Sequence, residues 1–163
     1  MSNNFQRMLE LVGSFFDTRN DPDQLDVDQH VIEQLREIHP ATMSEYVEGD
    51  GPVVWILVIP TTKQVMDDFI SGKISEKGLY ENTHPGQQYE AIYLCSASVL
   101  PEYRRKGLAK KVGMEAIEKI MKDHPIKALY YWPFSDEGKA LAEASAKAFG
   151  LPLYERTGGH GKK

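Results

Sequence analysis

Val99–Ala109 reads VLPEYRRKGLA and joins a predicted β-strand to the clearest amphipathic helix in the chain. Residues 90–100 are rich in the β-branched and aromatic residues that favour strands. Pro101 cannot donate a hydrogen bond to a neighbouring strand, and Gly107 has no Cβ to keep another backbone or a ligand away. The helix is predicted from apolar residues at helical spacing, which are Ala109, Val112, Gly113, Ala116, Ile117 and Ile120.

The strand-to-helix turn is also a predicted anion site. The first N–H groups of a helix have no partner within the helix, and the helix dipole adds partial positive charge there. Arg104, Arg105 and Lys106 place further positive charge beside these groups. A pyrophosphate fits this pattern. Two alternatives stay open: a glycine that serves only the turn, and a basic cluster, extended by Lys110 and Lys111, that forms a solvated face or a nucleic-acid patch.

Two better-known phosphate motifs do not fit the turn. No Gly-Lys-Ser/Thr follows, as the phosphate loop of nucleotide hydrolases requires. Only one of the three glycines of the dinucleotide-binding fingerprint is present. The turn therefore needs its own interpretation.

The rest of the chain predicts an α/β (α+β) single domain with a central mixed β-sheet flanked by helices. Two N-terminal helices, the first capped by Asn3 or Asn4, precede a hairpin that turns at Gly49-Asp50-Gly51. Thr61 and Gln64 suggest a capping box, followed by a short helix and a loop over 79–88. Strand, helix and strand follow the central helix. The remaining predicted helix caps are Asp28 and Ser135, and Cys95 is interpreted as a buried core residue.

Composition excludes several function classes. The chain has 163 residues, 19 basic against 24 acidic, and a net charge of −5, which argues against general nucleic-acid binding. The single cysteine excludes an internal disulfide and favours a cytoplasmic location. We predict no metal site, because the histidines lack ligand spacing, and no membrane segment, because the apolar runs are far shorter than roughly 20 residues.

The segment Val99–Ala109 resembles the signature of the GNAT superfamily of acyl-CoA-dependent N-acetyltransferases. That signature is a strand ending in Val-x-Pro, then Arg/Gln-x-x-Gly-x-Gly/Ala at the start of a long helix. The order of the predicted elements is also similar. The resemblance implies a GNAT-like acyltransferase domain over residues 1–157, with a loose tail at 158–163. It implies that acetyl-CoA is the co-substrate, held by Val99, Leu100, Arg104, Arg105, Lys106, Gly107, Leu108 and Ala109.

Within the resemblance, amides of the turn hold the coenzyme A pyrophosphate, and backbone groups near Val99 pair with the pantetheine arm. One of those amides polarises the thioester carbonyl and stabilises an oxyanion. Acyl transfer also needs a base for the amine and an acid for the departing thiolate. Glu90, at the start of the motif strand, is the predicted base. Many relatives carry an acid tyrosine in the helix that follows the next strand after the motif helix. At that place this chain has Ala146 next to Ser145, so Tyr131 and Tyr154 are the predicted substitutes.

The expected function is transfer of an acetyl or other acyl group from coenzyme A to an amine of a small molecule or peptide. The protein would act without nucleic-acid or membrane partners, as a monomer or a homodimer. Asp17, Asp21, Asp23, Asp26 and Asp28 form an acidic stretch that would attract a cationic amine. Two alternatives stay open. One is an acyl-CoA-binding sensor without turnover, and the other is an interaction domain that uses the basic cluster.

Overall fold

A computed structural model describes residues 3–19, 29–132 and 136–156. The helices are α1 (Asn3–Arg19), α2 (Gln29–Ile38), α3 (Lys63–Ile70), α4 (Glu76–Glu81), α5 (Leu108–Asp123) and α6 (Asp136–Phe149). The strands are β1 (Met43–Glu48), β2 (Gly51–Thr61), β3 (Ala91–Val99), β4 (Ala128–Tyr131) and β5 (Leu153–Glu155). Short 3-10 helices cover Pro40–Thr42 and Pro101–Tyr103.

One five-stranded sheet organises the domain, in the order β1-β2-β3-β4-β5. The pairs β1–β2 and β2–β3 are antiparallel, whereas β3–β4 and β4–β5 are parallel. Apolar residues run almost continuously along β2, which is buried apart from Trp55 because helices cover both faces of the sheet. The predicted mixed sheet flanked by helices is confirmed.

The two faces of the sheet can be followed along neighbouring strands, because side chains alternate along a strand. On one face, Gly113 of α5 lies against Ile56 of β2. On the other face, Phe5 of α1 packs edge-on against Trp55, with ring centroids 5.9 Å apart. Phe69 of α3 packs on this second face too, because it contacts Tyr93, the strand partner of Ile59. Helices α1 and α3 therefore lie opposite α5.

The sheet opens between β3 and β4. Their pairing covers Ala91–Leu94 against Ala128–Tyr131, whereas β3 continues to Val99 along β2. A β-bulge lies at the same level: Leu57 is opposite Ser96 and Val58 is opposite Leu94, so Cys95 is an extra residue in β3. Bulges bend and twist a strand locally. Within the described residues, the half of β3 beyond Leu94 thus has a sheet neighbour on one side only.

The sequence predicted Asn3 or Asn4 as the N-terminal cap of α1, but the cap comes from the hairpin turn. Both of these residues lie inside the helix, and the Asp50 carboxylate accepts their backbone N–H groups at 3.3 and 3.1 Å. The Asn4 side-chain amide instead donates to the Glu48 carbonyl at 2.9 Å. A carboxylate at this end of a helix is also favoured by the helix dipole. Asp50 therefore ties α1 to the β1–β2 turn.

Two predictions around α3 and α4 are wrong. Thr62, not Thr61, caps α3, and its hydroxyl accepts the Val65 N–H at 3.3 Å. The predicted loop over 79–88 begins inside a helix, since α4 starts at Glu76 after Ser75, whose hydroxyl accepts the Gly78 N–H at 3.0 Å. The strong turn residues of 82–86 concealed this short helix. The predicted caps Asp28 and Ser135 lie outside the described residues.

Candidate active site

A cleft of about 570 Å³ lies where β3 and β4 part. Residues of β3 from Leu94 to Val99 form one wall, and Tyr131 and Trp132 form the other. The remaining boundary comes from the helices α1, α5 and α6, the turn before α5, and β2. These lining residues include Leu11, Leu57, Arg104, Arg105, Gly107, Leu108, Ala109, Lys110, Gly113, Ile117, Gly138, Leu141, Ala142 and Ser145.

The wall formed by β3 offers unpaired backbone. Beyond Leu94, within the described residues, no strand pairs with β3 on the side facing β4. Backbone N–H and C=O groups at an open strand edge bind an extended chain by adding hydrogen bonds of the sheet type. One acceptor at the end of this edge is already engaged, because Arg104 Nε donates to the Val99 carbonyl at 3.0 Å. The edge leads from the bulge at Cys95 to the turn before α5.

The turn at the mouth of the cleft has two residues with left-handed backbone. Arg105 has a φ of 63° and Gly107 a φ of 76°. A Cβ built on Gly107 meets no other atom within 4 Å, so the glycine faces open space in the cleft. Because α5 begins at Leu108 with no side-chain cap, its first N–H groups are available to an anion.

This geometry fits the coenzyme A part of a thioester substrate. The free helix N-terminus with its flanking cations suits a pyrophosphate, and the open edge of β3 suits the amide-containing pantetheine arm. Of the predicted cofactor residues, Leu100 and Lys106 do not line the cleft. The Leu100 side chain is buried and its N–H donates to the Val53 carbonyl, whereas the exposed Lys106 ammonium lies 5.8 Å from the Tyr103 ring. The others line it: Val99, Arg104, Arg105, Gly107, Leu108 and Ala109.

A bidentate ion pair holds the turn against α1. The Arg7 guanidinium contacts the two oxygens of the Glu102 carboxylate at 2.6 and 2.7 Å. The hydrogen bond from Arg7 lowers the pKa of Glu102 to about 2. Both groups are exposed to solvent, so salt screens the pair and its contribution to stability is small. The pair fixes position rather than stability, because Glu102 lies in the 3-10 helix that leads into the turn before α5.

Tyr131 is the predicted acid that lies in the cleft wall. Its hydroxyl donates to the Glu155 carboxylate at 3.2 Å. Burial, and then the negative charge of Glu155, raise the pKa of Tyr131 to about 12. The phenol is therefore protonated throughout the neutral range, with its single proton directed at Glu155.

The other two predicted catalytic residues lie away from the cleft. Glu90 precedes β3 at the end remote from Gly107, and its carboxylate lies 3.7 Å from the Lys127 ammonium. Tyr154 belongs to β5 on the far side of β4 and is 45% exposed. Because neither side chain lines the cleft, each catalytic role stays a prediction without geometric support.

The predicted site residues did not include Ser145 and Cys95, which line the cleft, or Glu76, which lies behind Cys95. Ser145 is buried in the wall formed by α6, next to the place where relatives carry the acid tyrosine. Cys95 is half-buried and faces the cleft, so its interpretation as a buried core residue is wrong. Glu76 lies behind Cys95, with its carboxyl oxygen 3.8 Å from the sulfur. The polar start of α4, Ser75-Glu76, was the only sequence signal for Glu76.

Together, the opened mixed sheet, the glycine turn and the unpaired strand edge define the fold class of the acyl-CoA-dependent acetyltransferases. Residues 27–150 match the model of the acetyltransferase (GNAT) family, and the chain belongs to that family. Acetyl-CoA is the general co-substrate of the family, and amines are its general acceptors. No curated protein matches the chain. Among the described residues, no helix is long and apolar enough to cross a membrane.

Proposed function

We propose that this protein transfers an acyl group, acetyl in the first instance, from coenzyme A to an amine by direct attack. One observation carries the proposal: a continuous cleft runs from the N-terminus of α5 along the open edge of β3 to the bulge at Cys95. A thioester whose pyrophosphate binds at Gly107 would extend along this edge. Its reactive carbonyl would then lie near the point where the strands part.

The chemistry requires few protein groups. The amine nitrogen attacks the thioester carbonyl carbon, the C–S bond breaks, and the thiolate leaves. The nitrogen loses a proton and the thiolate gains one. An N–H group on the open edge of β3 would donate to the carbonyl oxygen, where negative charge develops during the attack. This hydrogen bond matters more in the transition state than in the bound substrate, which is the requirement for acceleration.

Calorimetry with acetyl-CoA and an assay of thiol release test the proposal together. We expect saturable binding of acetyl-CoA, weakened by added salt because phosphate contacts are screened. We also expect thiol release that depends on an added amine from a panel of 2-phenylethylamine, spermidine and Nα-acetyl-lysine amide. No measurable binding of acetyl-CoA would overturn the proposal at its first step.

Replacing Tyr131 with phenylalanine tests the acid in the cleft wall. A thiolate is a weaker base than tyrosinate, since thiols have a pKa of about 8.5. Tyr131 would therefore stabilise the leaving thiolate by a hydrogen bond, after its hydroxyl turns from Glu155. We expect Y131F to lower kcat about tenfold or more, the lower range for acid–base groups, with little change in the KM for acetyl-CoA. An unchanged kcat would leave protonation of the thiolate to water.

A second function, binding of acyl-CoA without turnover, is favoured by one specific observation. The place of the usual acid tyrosine on α6 carries Ala146, and the Tyr131 proton is directed at Glu155. A cleft that binds the thioester but lacks a group for the leaving thiolate would act as a sensor. Tight binding of acetyl-CoA without amine-dependent thiol release would support this second function over the first.

A further inference from the structure

Glu76 is a buried carboxyl group directly beneath the cleft. It is the first residue of α4 and its exposed fraction is 0%. A carboxylate moved from water into the protein interior costs several kcal/mol unless hydrogen bonds and charges compensate. Here the same oxygen, Oε2, accepts the Tyr93 hydroxyl at 2.5 Å and lies 3.8 Å from the Cys95 sulfur.

The position of Cys95 connects this carboxyl group to the cleft. Cys95 is the extra residue of the bulge, and it lines the cleft at the level where β3 and β4 part. One side chain therefore separates Glu76 from the place expected for the thioester carbonyl. The Cys95 thiol donates to Glu76, and the same residue lines the cleft.

Two other titratable groups pack on this face of the sheet, Tyr130 and Arg156. Tyr130 is fully buried and shares a hydrogen bond of 2.7 Å with Thr61. The Arg156 guanidinium lies 4.6 Å from the ring centroids of both Phe69 and Trp132, so its charge stacks on aromatic rings. Of the acidic groups described here, Glu76 is the one that contacts a cleft-lining thiol.

The reaction of the proposed function needs such a group. An alkyl amine has a pKa near that of lysine, about 10.4, so it arrives at neutral pH as an ammonium ion that cannot attack. We propose, resting on that function, that Glu76 takes the proton of the amine through Cys95. The ammonium proton passes to the Cys95 sulfur as the Cys95 proton passes to the Glu76 carboxylate. Cys95 is unchanged, the amine becomes neutral, and Glu76 holds one proton until the product leaves.

Glu76→Gln separates this role from a structural one. The glutamine amide keeps an oxygen that can accept the Tyr93 hydroxyl and has nearly the same shape, but it cannot take up a proton. Glu81 is the matched control, because it is an exposed glutamate at the other end of the same helix. Wild type, E76Q and E81Q are compared by thermal unfolding, calorimetry with acetyl-CoA, and steady-state thiol release with the same panel of three amines.

For E76Q we expect kcat near pH 7 to fall about 100-fold, as for loss of a general base, with the Kd for acetyl-CoA within twofold of wild type. The pH profile is the readout that a structural role would not change. Without the relay only neutral amine reacts, so the rate should rise about tenfold per pH unit below the amine pKa. Wild type should instead reach a plateau at lower pH. E81Q should behave as wild type.

Cys95→Ala provides the second variant, because it interrupts the relay and leaves the Tyr93–Glu76 hydrogen bond in place. For C95A we expect the same loss of kcat and the same pH profile as for E76Q. If E76Q does not fold, C95A alone tests the relay. A wild-type kcat and pH profile in either folded variant would overturn the relay while leaving the proposed function intact. Absence of thiol release by wild type with every amine would overturn both.

Discussion

Gly107→Glu is expected to weaken the binding of acetyl-CoA at least about 100-fold. The cause is direct: the new carboxylate enters the open space beside the N-terminus of α5, where it repels the pyrophosphate and competes for the same N–H groups. A bound anion and a glutamate side chain cannot both occupy this end of the helix. Calorimetry with acetyl-CoA measures the effect, and thermal unfolding shows whether the variant is folded.

Gly107→Gln is the matched control for charge. Both variants place a side chain of the same length at a residue with a φ of 76°, so both carry the same backbone strain, on the order of 1 kcal/mol. Only the glutamate adds a negative charge. We therefore expect G107Q to bind acetyl-CoA more weakly than wild type but clearly better than G107E. Equal, unchanged affinity in both variants would place the pyrophosphate elsewhere.

Phe69→Ala is expected to give the largest loss of stability among the substitutions considered. The Phe69 side chain has an exposed fraction of 0%, and its ring lies 4.9 Å from that of Tyr93 and 6.0 Å from that of Trp132. Removing a buried phenylalanine ring costs about 3–5 kcal/mol, because the cavity is refilled only in part. The Arg156 guanidinium, 4.6 Å from the same ring, also loses a stacking partner.

Thermal unfolding measures this loss. For a domain of this size, 1 kcal/mol corresponds to about 2–4 °C in Tm, so F69A should unfold roughly 10 °C or more below wild type. Phe69→Leu, which keeps most of the buried volume, should fall well short of that shift. A Tm for F69A within about 2 °C of wild type would show that α3 contributes little to the core.

The two predictions concern opposite faces of one site. Gly107 lies beside the N-terminus of α5, where the cofactor would enter. Phe69 packs against Tyr93 on the other face of the sheet, two residues along β3 from Cys95. A large loss of cofactor affinity with a fall in Tm of only about 2–4 °C is therefore expected for G107E, whereas F69A should lose far more in Tm. Measuring both quantities on both variants separates damage to the site from damage to the fold.

Local patterns in the sequence predicted the elements whose signals lie within a few residues. The apolar spacing of α5 and the glycine before it are contiguous in the chain, and both are found as expected. The same holds for the almost wholly apolar β2. Short elements with mixed signals were predicted less well. The predicted loop over 79–88 includes the second half of α4, because six residues provide less than two turns of periodicity.

By itself, the sequence determined the mixed α/β fold and the strand–turn–helix segment, and it predicted an anion site in that turn, because propensity, capping and helix polarity act over neighbouring residues. The tertiary structure decided the rest. Asp50 caps a helix 46 residues away, and Glu76 lies beneath Cys95, 19 residues further along the chain. The first contact depends on where the β1–β2 hairpin meets α1, and the second on the bulge at Cys95. In Val99–Ala109 the sequence therefore predicted a turn that would bind the cofactor, and only the folded sheet brought Cys95 and Glu76 together near the place proposed for the acyl carbon.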